Sequence, residues 1–120
     1  MKAYYAHCQA IYNTKQEKRD IMTLELLGFE VLNPNMPVHQ QVCREREYSQ
    51  IMSYFTDLLK GCEVFAFRGL PGGAIPAEVA KELEVANENG KLIFELPTFS
   101  LRKILTVDET REYLKESGQR

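Results

Sequence analysis

Four short apolar runs, at residues 3–6, 29–32, 62–67 and 92–94, alternate with stretches of helical spacing, and Gly28, Gly61 and Gly90 close the helices between them. Apolar runs of that length, bounded by turn residues, suit strands buried on both faces of a sheet. Strand and helix in alternation build right-handed βαβ units on a parallel sheet. The pattern predicts a flavodoxin/Rossmann-like three-layer α/β sandwich with a 4-5 stranded parallel sheet in the order 2-1-3-4-5, with 104–106 as the candidate fifth strand. In that order the ligand crevice opens at the carboxyl ends of strands 1 and 3, where the winding reverses. The residues expected around it are His7-Cys8-Gln9, Asn33-Pro34-Asn35 and the turn 68–73.

Local signals fix the helices. Thr14 and Glu17 have capping-box spacing, a hydroxyl at the N-cap and a carboxylate three residues on, ahead of Ile21, Leu24 and Leu27. Residues 33–37 contain two prolines and break regular structure, and 38–47, with His39 and Arg44, reads as a polar loop. Tyr48, Ile51, Met52, Phe55, Leu58 and Leu59 form one stripe, which predicts a helix whose apolar face is core. A third helix runs from about Pro76 to Asn89, with proline in its first turn. A second Thr-x-x-Glu pattern, Thr106 to Glu109, starts a last polar helix.

Composition narrows the function classes. The chain of 120 residues suits a single domain, 1–120. Its 15 basic and 17 acidic residues leave a net charge of −2, which predicts no nucleic-acid polymer as partner. Cys8, Cys43 and Cys62 are odd in number and scattered, which argues against disulfides or a zinc site and for a reducing, cytoplasmic setting. They read as small buried hydrophobes. No apolar run reaches the roughly 20 residues of a membrane span, and no signal peptide is expected.

One helix carries a conspicuous carboxylate. With Val79 at zero on a helical wheel, Ala80, Leu83 and Ala86 fall within about 100° of it and form the core face. Lys81, Glu84 and Glu88 lie opposite, whereas Glu82 sits at about 300°, inside the arc of Val85 and Ala86. A carboxylate in an apolar arc has a raised pKa unless it is paired. Two readings stand at this point: an edge residue that either snorkels or pairs with an Arg such as Arg68, or a nucleophile or base at the mouth of the crevice. Glu78 lies one turn earlier on the same side. In the turn, Gly69, Gly72 and Gly73 leave backbone N–H groups near a helix N-terminus, suited to a phosphate, and Arg68 adds charge; a plain tight turn is the alternative. His7 either contacts a ligand or closes strand 1, and Tyr12 either stacks on a base or packs.

Taken together, several stretches resemble the nucleoside 2-deoxyribosyltransferase-like superfamily, which includes transferases and deoxynucleoside-monophosphate N-glycosidases. The resemblance covers about residues 1–96. It is carried by Tyr4-Tyr5-Ala6-His7 with Ile11-Tyr12, by residues 31–35 and 62–67, and above all by Glu82-Leu83-Glu84-Val85-Ala86 with Gly90-Lys91. It implies that Glu82 attacks C1′ of a nucleoside or its 5′-monophosphate and that Glu78 substitutes as the acid, since residues 68–77 hold no Asp or Glu. It further implies that the base faces the strand 1 loop, with His7, Tyr12, Asn33 and Asn35 in the binding site beside Arg68 and the glycines. No metal or organic cofactor is expected. A homo-oligomer is expected, with residues 98–120 reaching a neighbouring subunit. The alternatives are a non-catalytic nucleotide-binding module using the same crevice and, less favoured, a regulatory subunit with an empty one.

Overall fold

The computed structural model describes residues 1–97, 104 and 106–116. In chain order the elements are β1 (Lys2–Ala6), a single 3-10 turn (Gln9–Ile11), α1 (Lys15–Leu26), β2 (Glu30–Leu32), α2 (Pro37–Arg44), α3 (Tyr48–Lys60), β3 (Val64–Arg68), α4 (Ala77–Glu88), β4 (Leu92–Leu96) and α5 (Val107–Glu116). The four described strands pair in parallel in the order β2-β1-β3-β4. Tyr4 stands opposite Leu32 on one side and Phe65 on the other. The winding reverses between β1 and β3, as the sequence predicts.

Alternation along β1 splits the core in two. Tyr4 and Ala6 face one way, joining Phe65 and Phe67 of β3, Leu59 of α3, and Val79 and Ala86 of α4. Tyr5 faces the other way, with Ala66, Leu96 and Leu24 of α1. The helices therefore flank the sheet on both faces, the three-layer arrangement expected. The rings of Tyr4 and Phe65 stack with centroids 6.0 Å apart, and both residues are buried. Burying an aromatic of this kind stabilises the fold by roughly 2–3 kcal/mol.

Three local expectations change. Residues 37–44 form a helix rather than a polar loop: Pro37 takes the first helical position, where its missing N–H costs nothing. No residue of α2 is buried, and its eight residues set only Val38, Val42 and Cys43 at helical spacing, a stripe too short to be singled out in the sequence. Of the proposed fifth strand, Leu105 lies outside the described residues, Ile104 is not in a strand and Thr106 caps α5. Ala80, assigned to the core arc, is exposed. Of residues 98–120, expected to reach a neighbour, only 104 and 106–116 are described.

Candidate active site

A cavity of about 320 Å³ opens beyond the carboxyl end of β1, on the Tyr4 face of the sheet. Its floor includes Tyr4 and His7, and the turn after β1 contributes Cys8, Gln9 and Tyr12. Helix α4 supplies Glu78, Val79 and Glu82, and α3 supplies Tyr48, Ile51, Met52 and Phe55. Gln40 and Cys43 of α2 complete the lining with Pro34 and Pro76. A mostly apolar concavity with a few convergent polar groups is the usual form of a small-molecule site.

Glu82 is the chemical centre of this cavity. The Tyr4 hydroxyl donates a hydrogen bond to its Oε2, and among the described residues no cation pairs with it. Burial pushes the carboxyl up to about 7, opposed by the Tyr4 hydrogen bond and reinforced by the negative charge of Glu78. Glu78 itself stands exposed at the rim. Of the two readings of Glu82, the ion pair with Arg68 is not formed.

Arg68 is buried elsewhere. Its guanidinium makes a bidentate contact with Asp20 of α1, with Nη2 donating to Oδ1 at 2.7 Å and Nε donating to Oδ2. The Tyr5 hydroxyl donates to the same Asp20 Oδ2 at 2.6 Å, and the Gln16 amide to Oδ1 at 2.9 Å. This cluster lies under the opposite face of the sheet, so Arg68 does not border the cavity. Nor do Gly69, Gly72 and Gly73. Within their turn the Leu70 N–H donates to the Ala74 carbonyl at 2.7 Å and the Gly73 N–H to the Leu70 carbonyl at 2.9 Å. Gly72 and Gly73 take φ of +92° and +95°, a conformation that a side chain would strain. The turn uses these two amides internally.

A second network fixes the wall opposite α4. His7 Nδ1 donates to the Tyr5 carbonyl at 3.1 Å, since a carbonyl only accepts. Its Nε2 lies 2.8 Å from Glu17 Oε2, and a single proton links the two. Burial lowers the His7 pKa, against the hydrogen bond from Glu17. Glu17 also accepts from the Asn13 N–H at 3.2 Å and from the Asn35 amide at 3.0 and 3.1 Å. Asn33 Oδ1 in turn accepts from the Asn35 N–H at 2.9 Å. Asn33 and Asn35 thus stand behind the cavity as supports, while the His7 side chain is fully buried with both nitrogens occupied.

Of the residues singled out from the sequence, Glu82, Glu78, His7 and Tyr12 come together at the cavity; Asn33, Asn35, Arg68, Gly69, Gly72 and Gly73 do not. Sequence reasoning missed the partner of the nucleophile candidate, Tyr4, because an apolar strand run hides a hydroxyl that turns to one side. It also assigned the whole α3 stripe to core. The structure divides that stripe: Leu59 is buried in the core, whereas Tyr48, Ile51, Met52 and Phe55 line the cavity. Cys8 and Cys43 line it as well, and only Cys62 is the buried thiol expected of all three.

No protein-family model and no curated protein matches the chain. Solved structures do. One is a 2-desoxiribosyltransferase from Leishmania mexicana, with a TM-score of 0.55 and 16% identity, covering 90% of this chain and 70% of that one. Another is a CMP N-glycosidase from Clostridium botulinum, with a TM-score of 0.53 and 20% identity, covering 100% of both chains. Both belong to the superfamily that residues 1–96 resemble, and at these identities the likeness is one of fold. The chain shares its fold with both of these structures.

Proposed function

We propose that the chain cleaves or transfers the N-glycosidic bond of a nucleoside or its 5′-monophosphate, with Glu82 as nucleophile. The observation that carries this reading is a half-buried carboxylate at the switch-point cavity, held by a tyrosine hydroxyl and, among the described residues, paired with no cation. Desolvation makes such a carboxylate reactive, and the Tyr4 hydrogen bond fixes one oxygen so that the other is aimed. The fold shared with a 2-desoxiribosyltransferase and a CMP N-glycosidase supports it.

The free oxygen of Glu82 attacks C1′ as the C1′–N bond breaks, and the base departs with the bonding electron pair and takes up a proton. Water or a second base then attacks C1′ from the opposite face and releases the carboxylate, giving net retention. In this reading Glu78, exposed at the rim, is the acid that gives the departing base its proton, and it takes one back from the incoming water. The α3 wall supplies apolar surface for base and sugar.

The test is a panel of ribo- and deoxyribonucleosides and their 5′-monophosphates, with chromatography for free base. The expected result is release by the wild type and none by Glu82→Ala or Glu82→Gln. Residual turnover above about a hundredth of wild type would remove Glu82 as nucleophile, because loss of a covalent catalyst costs several powers of ten. Tight binding of an intact nucleotide with no release would favour a binding module instead.

A further inference from the structure

Resting on Glu82 as nucleophile, we propose that the Tyr12 hydroxyl donates a hydrogen bond to the departing base, a bond that tightens as the glycosidic bond breaks. The placement of Tyr12 supports this first. It caps the 3-10 turn after β1, its N–H donating to the Gln9 carbonyl at 3.1 Å. Asn13, next in the chain, has φ of 62° and donates its N–H to Glu17. The Tyr12 ring lies 4.8 Å from the His7 ring, which is itself stacked on Tyr5 at 3.8 Å and held at both nitrogens. The ring therefore leans on a fixed platform, and the platform reaches back into the core.

The availability of the hydroxyl comes second. Among the polar side chains around the cavity, Tyr4 is engaged by Glu82, His7 by Tyr5 and Glu17, and the Gln40 amide nitrogen by the Pro34 carbonyl at 2.8 Å. Among the described residues no protein group engages the Tyr12 hydroxyl, although the residue is half-buried. Ionised Glu82 can only accept, and Glu78, Gln9 and Tyr48 stand exposed. Tyr12 is the half-buried hydroxyl left to serve a ligand. Its environment keeps the proton in place: burial, then the nearby Glu82 charge, push the phenol up to about 12.

The chemistry gives the hydroxyl a role beyond binding. When C1′–N breaks, the electron pair moves onto the base, and its carbonyl oxygen or ring nitrogen becomes a stronger acceptor. A donor already aimed at that atom gains most in the transition state and so raises kcat. The new C1′–O bond forms toward Glu82 as the C1′–N bond breaks away from it, and the charge builds on the base, where Tyr12 of the same cavity lining can meet it.

The experiment compares wild type, Tyr12→Phe and Glu82→Gln on a nucleoside that the wild type cleaves and on the same nucleoside with a better-leaving base. That analogue is N7-methylated for a purine and 5-fluorinated for a pyrimidine. Removing one such donor is expected to lower kcat on the ordinary nucleoside by about 10²-fold. The loss on the activated analogue is expected to be at least about tenfold smaller, because that base needs less help to leave. Equal losses on the two substrates, or no loss on either, would show a packing role and overturn the inference while leaving Glu82 intact. Activity in Glu82→Gln, or no cleavage of any nucleoside by the wild type, would overturn the underlying reading and the inference with it.

Discussion

Tyr4 and Tyr5 are neighbours on β1, point to opposite faces of the sheet, and each gives its hydroxyl to a carboxylate. The surroundings then diverge. Asp20, the partner of Tyr5, is 2% exposed and clamped by Arg68, with Gln16 as a further donor. Glu82, the partner of Tyr4, has a cavity on one side, another carboxylate one turn away and, among the described residues, no cation. The charge at Asp20 is satisfied and locks α1 to the sheet. The charge at Glu82 is left partly unsatisfied, which costs stability and leaves an oxygen available for chemistry. A tyrosine–carboxylate pair is thus structural or reactive according to what completes it.

The largest expected effects exchange the two roles. Glu82→Gln is expected to lower turnover by at least about 10³-fold while the protein stays folded, as base release and circular dichroism would show. Its effect on stability has the opposite sign. The folded-state pKa of Glu82 is raised from 4.5 to about 7, so the wild type loses stability as pH rises between those values, and the glutamine variant does not. Above pH 7 the variant is expected to be the more stable by on the order of 2 kcal/mol, with the lead shrinking toward pH 4.5. Urea denaturation at the two pH extremes reads this directly; a variant less stable than wild type at pH 8 would contradict it.

Asp20→Ala should do the reverse. It leaves Arg68 buried without its partner, at a cost of about 3–5 kcal/mol in urea denaturation. Activity per folded molecule should survive. The double variant Asp20→Leu, Arg68→Met should recover much of the loss, since an apolar pair of similar bulk replaces two buried charges. If the double variant were as unstable as the single one, the contact would be worth more than its charges and the comparison with Glu82 would weaken.

A smaller effect separates the two tyrosines. Glu82 must be ionised to attack, so turnover is expected to rise with pH through about 7. The Tyr4 hydroxyl favours the ionised form, and Tyr4→Phe should therefore move that limb to higher pH. Tyr5→Phe touches only the Asp20 cluster and should leave the limb where it is. A pH–rate profile of both variants distinguishes them, and equal shifts would mean that the cavity senses both faces of the sheet.

Much of this was legible in the sequence wherever the signal was local and periodic. Strand runs, glycine stops and the odd position of Glu82 on α4 all follow from spacing. What spacing leaves open is the partner. Arg68 reads as a charge beside a glycine-rich turn, and Asp20, 48 residues away, takes it into the interior. The α3 stripe reads as one apolar face because periodicity reports a face and not what lies against it; four of its six residues meet a cavity and Leu59 meets the core. α2 escapes because it is only eight residues long, with Val38, Val42 and Cys43 as its apolar positions. Pro37, which marks a helix start as well as a break, was its other signal.

The two Thr-x-x-Glu motifs make the same point on a single pattern and give the smallest prediction. At α5 the box closes in both directions: the Glu109 N–H donates to Thr106 Oγ1 and the Thr106 N–H to Glu109 Oε1, each at 3.2 Å. At α1 only half of it closes. The Glu17 N–H donates to Thr14 Oγ1 at 3.3 Å, but the Glu17 carboxylate turns away to His7, Asn35 and the Asn13 N–H. Thr14→Ala should cost about 1 kcal/mol, the ordinary value of an N-cap. Glu17→Ala should cost more than that, because His7 Nε2 and the Asn35 amide would both lose their hydrogen-bond partner. The larger loss should appear in a second readout as well, a weakened response to substrate, since the His7 platform under Tyr12 would be free to turn. Urea denaturation of the two variants beside each other settles whether that glutamate belongs to the helix or to the cavity wall, and equal losses would return it to the helix.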